Sequence, residues 1–226
     1  MKIGTKSVLF GVHCFLIHPI FVFIAWWKLY GFPFDPRLWV AFFVHDIGYL
    51  EKPNMDGKEG ETHVELGAKI MAIFDYQFMI KNIHHIYFHY PKYTRLGYKM
   101  IFAYKGYVLA KRNTKKWSDF SKYHSRFYAK KDNKQPSKLC IADKLAICIT
   151  PTWLYLFQAN LTGEIKEYMA CSYSKEQGSG GLNAVDKLRL TSKNQKEWIT
   201  GVKLYMHRWV ILHKDGKEDT WTPNRV

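Results

Sequence analysis

The stretch "FFVHDIGYL", residues 42–50, ends an apolar run in two adjacent polar groups, His45 and Asp46. A helix that only filled a core would have no use for an imidazole and a carboxylate there. An unpaired carboxylate is costly to bury, so Asp46 needs a partner. A metal ion is one partner that would use both residues. It would also need further ligands elsewhere in the chain.

Such groups recur. "LIHPIFV" supplies His18, "ETHVELGAKI" supplies His63, "YHSRFYA" supplies His124, and "LCIADKLAI" supplies Asp143, an acid inside an otherwise apolar helix. Each alone reads as a hydrogen-bonded core group, and Asp143 has Lys144 beside it. Together, five segments each offer an imidazole or carboxylate, the donors that bind divalent metals without cysteine. Two clusters sharing Asp46 would hold two ions.

The order His, His-Asp, Asp resembles the HD superfamily of metal-dependent phosphohydrolases. "IHPIFV" looks like the first-ligand helix of its stringent-response members. "FFVHDIGYL" is close to the central motif, and "LCIADKLA" is similar to the last-ligand helix. His63 and His124 resemble the two extra histidines of di-metal members, and the 124–143 spacing is similar to that of HD-type diadenosine tetraphosphate hydrolases. The resemblance covers residues 13–155 discontinuously. It implies an all-α, HD-domain-like helical bundle and a ligand set of His18, His45, Asp46, His63, His124 and Asp143. It implies divalent cofactors, two of them, among Fe, Mn, Mg, Co and Ni. "NIHHIYFH" resembles the paired histidines of the cyclic-dinucleotide branch without its glutamate, so His84 or His85 competes with the preferred His124.

The chain of 226 residues is 47% hydrophobic and 17% aromatic, enough for a packed core and unlike a disordered composition. Four cysteines without a close pair suit a reducing, cytoplasmic compartment. Residues 8–27 carry no formal charge and are long enough to span a bilayer, but His13, His18 and Pro19 are awkward in lipid. We therefore expect a core helix carrying His18, and no membrane partner.

Of the net charge of +15, most lies in residues 77–138, where fifteen Lys and Arg face two Asp, a net of +13. Residues 77–117 interleave these cations with Tyr and Phe and have no counterpart in a minimal HD domain. They read as an insertion in a single domain of residues 1–226, with a C-terminal helical extension from about 182 to 226. The lobe suits stacking on single-stranded nucleic acid, a cap over a nucleotide pocket, or a small satellite core.

The remaining pattern is helical. A first helix runs to about Tyr30, and Asp35-Pro36 caps a second, "RLWVAFFVHDIGY", apolar all round and so central. Thr62 or Glu61 opens a third. A helix covers "SDFSKYHSRFYAK", another covers "SKLCIADKLAICIT" up to a break at Pro151, and "TWLYLFQANLTGEIKEYMA" continues beyond it. "KEQGSGG" is a loop, and a final amphipathic helix spans 194–213. No strand pattern stands out.

These features lead to a metal-dependent phosphohydrolase acting through metal-activated water on a nucleotide, dinucleotide or related phosphate ester. Arg126 and Lys130, four residues apart, and Lys144 are the candidate phosphate-binding cations. Asp46, Glu61 and Arg126 are the candidate catalytic residues. Two other readings share the motif: an HD-type di-iron oxygenase with the same six-ligand order, and a non-catalytic scaffold that binds nucleic acid.

Overall fold

The computed structural model describes residues 1–82, 107–113, 116–177 and 184–215. The protein belongs to the all-α class. Its described residues form eleven α-helices, three short 3-10 helices and one two-stranded antiparallel ribbon. Helices α1 (Ile3–Phe10), α2 (His18–Tyr30), α3 (Pro36–Val44) and α4 (Val64–Met71) precede the ribbon β1 (Tyr76–Asn82) and β2 (Tyr107–Asn113). Helices α5 (Lys116–Lys122), α6 (Arg126–Lys131), α7 (Lys138–Ile149) and α8 (Thr152–Thr162) follow. The chain then forms α9 (Glu164–Gln177), α10 (Ala184–Thr191) and α11 (Gln195–His213).

Local chemistry sets most boundaries. Asp35 caps α3, its Oδ1 accepting from Arg37 N at 3.0 Å with Pro36 at the first helical position. Ser137 caps α7, and Asn194 caps α11. Pro151 separates α7 from α8, whose axes bend by 100°. Among the described residues no single helix is long and apolar enough to cross a membrane.

Four expectations are corrected. The uncharged stretch 8–27 is two helices, not one. Pro19 has no N–H to donate and is tolerated in a first turn, so α2 starts at His18. The second helix is not central throughout: α3 fully buries only Ala41 and Phe42. The helix expected over 118–130 breaks around His124, where Ser125 Oγ accepts from Tyr128 N and starts α6. The long helix after Pro151 splits at Gly163, whose φ of 82° ends α8.

The ribbon is a fifth difference. Tyr76 pairs with Asn113 and Asn82 with Tyr107 in one continuous register. The alternation Tyr76, Phe78, Ile80 was available in the sequence but is masked there by the basic-aromatic run around it. Asp75 closes the base of the ribbon: its carboxylate accepts from the backbone N–H groups of Trp117 and Ser118 at the start of α5. Most of the 77–117 lobe, with His84 and His85, lies outside the described residues.

Two clusters of apolar side chains form the interior. One joins α2, α3, α7 and α11 through Val22, Trp26, Phe42, Leu139, Ile141 and Trp209. The other joins α1, α8, α9 and α11 through Val8, Tyr155, Tyr168, Trp198, Val202 and Met206. Burying a side chain such as Phe42, fully enclosed here, stabilises the fold by about 1.5–3 kcal/mol. Packing of α2 on α7 is the contact that matters for the site, because it brings His18 to Asp143.

Candidate metal centre

Three of the four histidines in the predicted set share one local device. Nδ1 of His45 donates to the Phe42 carbonyl at 2.9 Å, that of His63 to Gly60 at 2.7 Å, and that of His124 to Ser121 at 2.5 Å. Each acceptor lies three residues upstream, so each ring folds back over its own turn. A carbonyl can only accept, so the ring proton sits on Nδ1. In the neutral ring Nε2 is then a bare lone pair. His63 Nε2 and His124 Nε2 lie 3.2 Å apart. Two lone pairs at that distance repel unless a cation lies with them.

Asp46 sits between all four imidazoles. Its Oδ1 is 3.3 Å from His124 Nε2 and 3.7 Å from His63 Nε2. Its Oδ2 is 3.2 Å from His45 Nε2 and 3.4 Å from His18 Nε2. Asp143 Oδ1 completes the second group, 3.0 Å from His18 Nε2 and 4.0 Å from His45 Nε2. The donors thus fall into two sets, His18, His45, Asp46 and Asp143, and Asp46, His63 and His124, all buried. Either set has a composition that can hold a metal ion, and Asp46 belongs to both. His45 Nε2 and Asp46 Oδ2 are buried and, among the described residues, have no hydrogen-bond partner despite their proximity. Donors arranged for a cation rather than for one another leave that signature.

Charge follows the same pattern. Burial pushes down the pKa of His63, to about 3, with His124 adding to the effect, and it also lowers that of His18. Burial opposes ionisation of Asp46, but His45 and His124 outweigh it and hold the carboxyl well below the usual range. Burial likewise opposes ionisation of Asp143, which Lys144 and His18 reverse. His45 is raised, because the Asp46 carboxylate overcomes its burial. The ionised carboxylates and the lowered His18 and His63 are in the states a divalent cation requires, whereas His45 would release its proton on binding one.

The elements bring these atoms together from distant positions. His45 caps α3 at its C-terminus, and Asp46 opens a short 3-10 turn, Ile47–Tyr49. A second such turn, Gly60–His63, delivers His63 to the start of α4. Gly48 permits this approach: a Cβ there would lie 1.8 Å from the His63 carbonyl oxygen. Tyr49 stacks on His63 with ring centres 4.0 Å apart and planes 7° from parallel.

A cavity of about 650 Å³ opens on the cluster. The other predicted residues, Glu61, Arg126, Lys130 and Lys144, all line it. Arg126 is half-buried, with its guanidinium 5.2 Å from the Trp209 ring centre, whereas Lys130 is exposed. Lys144 Nζ donates to Asp143 Oδ2 at 2.6 Å, so this cation is committed to a cluster carboxylate. Away from the metal donors the wall turns aromatic, with Tyr155, Tyr168 and Trp198.

Sequence reasoning missed His13 and Glu164. His13 lines the cavity beside His18, their ring centres 5.8 Å apart. Its Nδ1 lies 3.0 Å from Ser7 Oγ and 3.8 Å from Glu164 Oε2. The histidine pair 13 and 18 was a visible signal. Glu164 was not, because an acid at a helix start reads as an ordinary first-turn charge.

The site defines a helical protein with a buried His/Asp cluster able to hold metal, compatible with an HD-like centre. Comparison of the chain with protein-family models, with curated proteins and with solved structures returns no match.

Proposed function

We propose that this protein is a di-metal, HD-like phosphohydrolase that cleaves a nucleotide, dinucleotide or related phosphate ester. The observation that carries the reading is the pair of Nε2 atoms of His63 and His124, 3.2 Å apart and both beside Asp46. His18, His45, Asp46 and Asp143 would hold one ion, and His63, His124 and the shared Asp46 the other. A bound divalent cation supplies Lewis acidity, acidifying water and offsetting charge on a phosphoryl oxygen.

The chain's own groups do the rest. Backbone carbonyls of Phe42, Gly60 and Ser121 keep the protons of three imidazoles on Nδ1. Arg126, pinned against Trp209, offers a planar fork to phosphate oxygens, and Lys130 adds positive charge at the surface. Lys144 holds Asp143 ionised. The Glu61 carboxylate, two residues before His63 and on the same cavity, would accept a proton. Tyr155, Tyr168 and Trp198 offer a face for the organic part of the ester, and Trp198 Nε1, buried without a hydrogen-bond partner among the described residues, offers it a donor. The excess of positive charge favours a phosphate-rich substrate over a small neutral one.

Metal analysis of the purified protein, followed by a screen of nucleotides and dinucleotides for phosphate release, tests this. Metal content near two per chain and release that disappears in Asp46→Ala support it. Release that is unchanged in Asp46→Ala would reject it. So would O₂ consumption with a phosphonate or polyol in place of any phosphate release.

A further inference from the structure

His13 stands outside both donor sets. Glu164, the first residue of α9, is fully buried and reaches across to the bend after α1. Its Oε1 accepts from Val12 N at 3.3 Å and from Thr162 Oγ1 at 2.6 Å, and its Oε2 accepts from Tyr168 Oη at 3.2 Å. Gly11 makes room for it, since a Cβ there would come within 1.9 Å of Glu164 Oε1. Ser7, also fully buried, fixes the same edge of the His13 ring at Nδ1.

A carboxylate so thoroughly enclosed is expensive unless something near it is positive or donates to it. Three donors and the His13 ring meet that need. The consequence lies on the other side of the ring. With Nδ1 turned to Ser7 and Glu164, the polar atom left for the cavity is Nε2. The buried Ser7 hydroxyl, 3.0 Å away, is assigned as the donor to Nδ1, which puts the neutral ring's proton on Nε2; an Nδ1–H aimed at Glu164 would instead leave Nε2 bare.

We infer that His13 is a substrate-contacting residue, its Nε2–H donating to a phosphoryl oxygen of a ligand at the adjacent cluster, and that Glu164 is the positioning residue that aims it. The inference rests on the reading of the cluster as a metal-dependent phosphate site. His13 is no metal ligand in it. It faces the same cavity as Arg126, so an anion between them would be gripped from two elements distant in sequence, the bend after α1 and helix α6.

The test uses full-length protein loaded with Zn²⁺, which is diamagnetic, and inorganic phosphate as the probe. His13→Gln should keep the wild-type metal content and weaken phosphate binding about tenfold, the usual scale for a hydrogen bond to a charged group. Glu164→Gln should weaken phosphate binding in the wild-type background and add nothing in the His13→Gln background, since it acts only through His13. In protein labelled with ¹⁵N-histidine, phosphate should shift the His13 Nε2 signal, and Glu164→Gln should reduce that shift. Unchanged phosphate affinity in His13→Gln, or an unmoved His13 signal, overturns the assignment while leaving the metal reading intact. Loss of metal from His13→Gln also overturns it, by making His13 a ligand. Additive effects of the two substitutions remove Glu164 from the role. Wild-type protein that takes up no metal overturns both readings together.

Discussion

Asp46 is the residue on which the centre turns, because its two oxygens face different imidazole pairs. Asp46→Ala is expected to remove metal from both positions, whereas Asp143→Ala, whose carboxylate belongs to one set, should leave an ion with His63 and His124. Metal content per chain distinguishes the two; equal loss in both variants contradicts the shared-carboxylate geometry. His63 makes a separate prediction for metal-free protein. Its folded-state pKa is about 3 against an ordinary 6.5, so the unfolded chain binds the proton first as pH falls. Its contribution to stability is complete above 6.5 and is lost progressively between 6.5 and about 3. His18 acts in the same direction, whereas His45, whose pKa is raised, contributes stability that is complete below 6.5 and is lost as pH rises above it. Urea unfolding of metal-free protein should therefore show stability declining below pH 6.5, with a flatter decline in His63→Gln. A flat wild-type profile would contradict the buried neutral imidazole.

At the scale of elements, two short 3-10 turns hold the site and one tertiary cap holds the start of α5. Gly48→Ala would drive a methyl group into the His63 carbonyl. The expected cost is about 1–3 kcal/mol or more, with weakened metal uptake because the turn carrying His63 must shift. Val40→Ala on α3, half-buried and away from the donors, is the control and should leave metal content unchanged. Asp75→Ala removes the carboxylate that caps α5 from 42 residues away and leaves buried N–H groups without their acceptor. A loss of about 1–2 kcal/mol is expected in chemical denaturation, and a neutral effect would show that the cap is dispensable. Helix starts were legible at Asp35, Ser137 and Asn194, but not at Pro19 or Ser125, although each carried a capping residue or proline. The breaks near His124 and at Gly163 were less legible, because Phe120 and Phe127, and Leu161 and Ile165, flank them at helical spacing.

For the whole molecule, metal binding and folding should be linked. An ion that binds only the folded state at a hundred times its dissociation constant adds about 2.7 kcal/mol, or about 5–10 °C in Tm for a chain of this size. Thermal unfolding with Mn²⁺ or Co²⁺ and then with chelator reads this directly; coincident transitions would argue against a specific centre. The net charge of +15 predicts that tripolyphosphate binding weakens with added salt, since the Debye length is only about 8 Å at physiological ionic strength. Arg126→Ala, on the cavity wall and packed on Trp209, should weaken it more than Lys130→Ala, whose side chain is exposed. Equal small effects would reduce both to a solvated face.

The sequence by itself determined that the chain is helical and that His18, His45, Asp46, His63, His124 and Asp143 were the groups to watch. Polar residues inside apolar helical runs are visible without coordinates, because burial makes them costly and so marks them. Only the tertiary structure decided how they meet. The proton positions come from carbonyls three residues upstream, the shared role of Asp46 from the meeting of four imidazoles, and Glu164 reaches His13 from 151 residues away. Periodicity reports which face of an element is buried. It carries no information about which buried faces become neighbours, and the His13–Glu164 contact exists only because α9 starts beneath the bend after α1, where Gly11 leaves space.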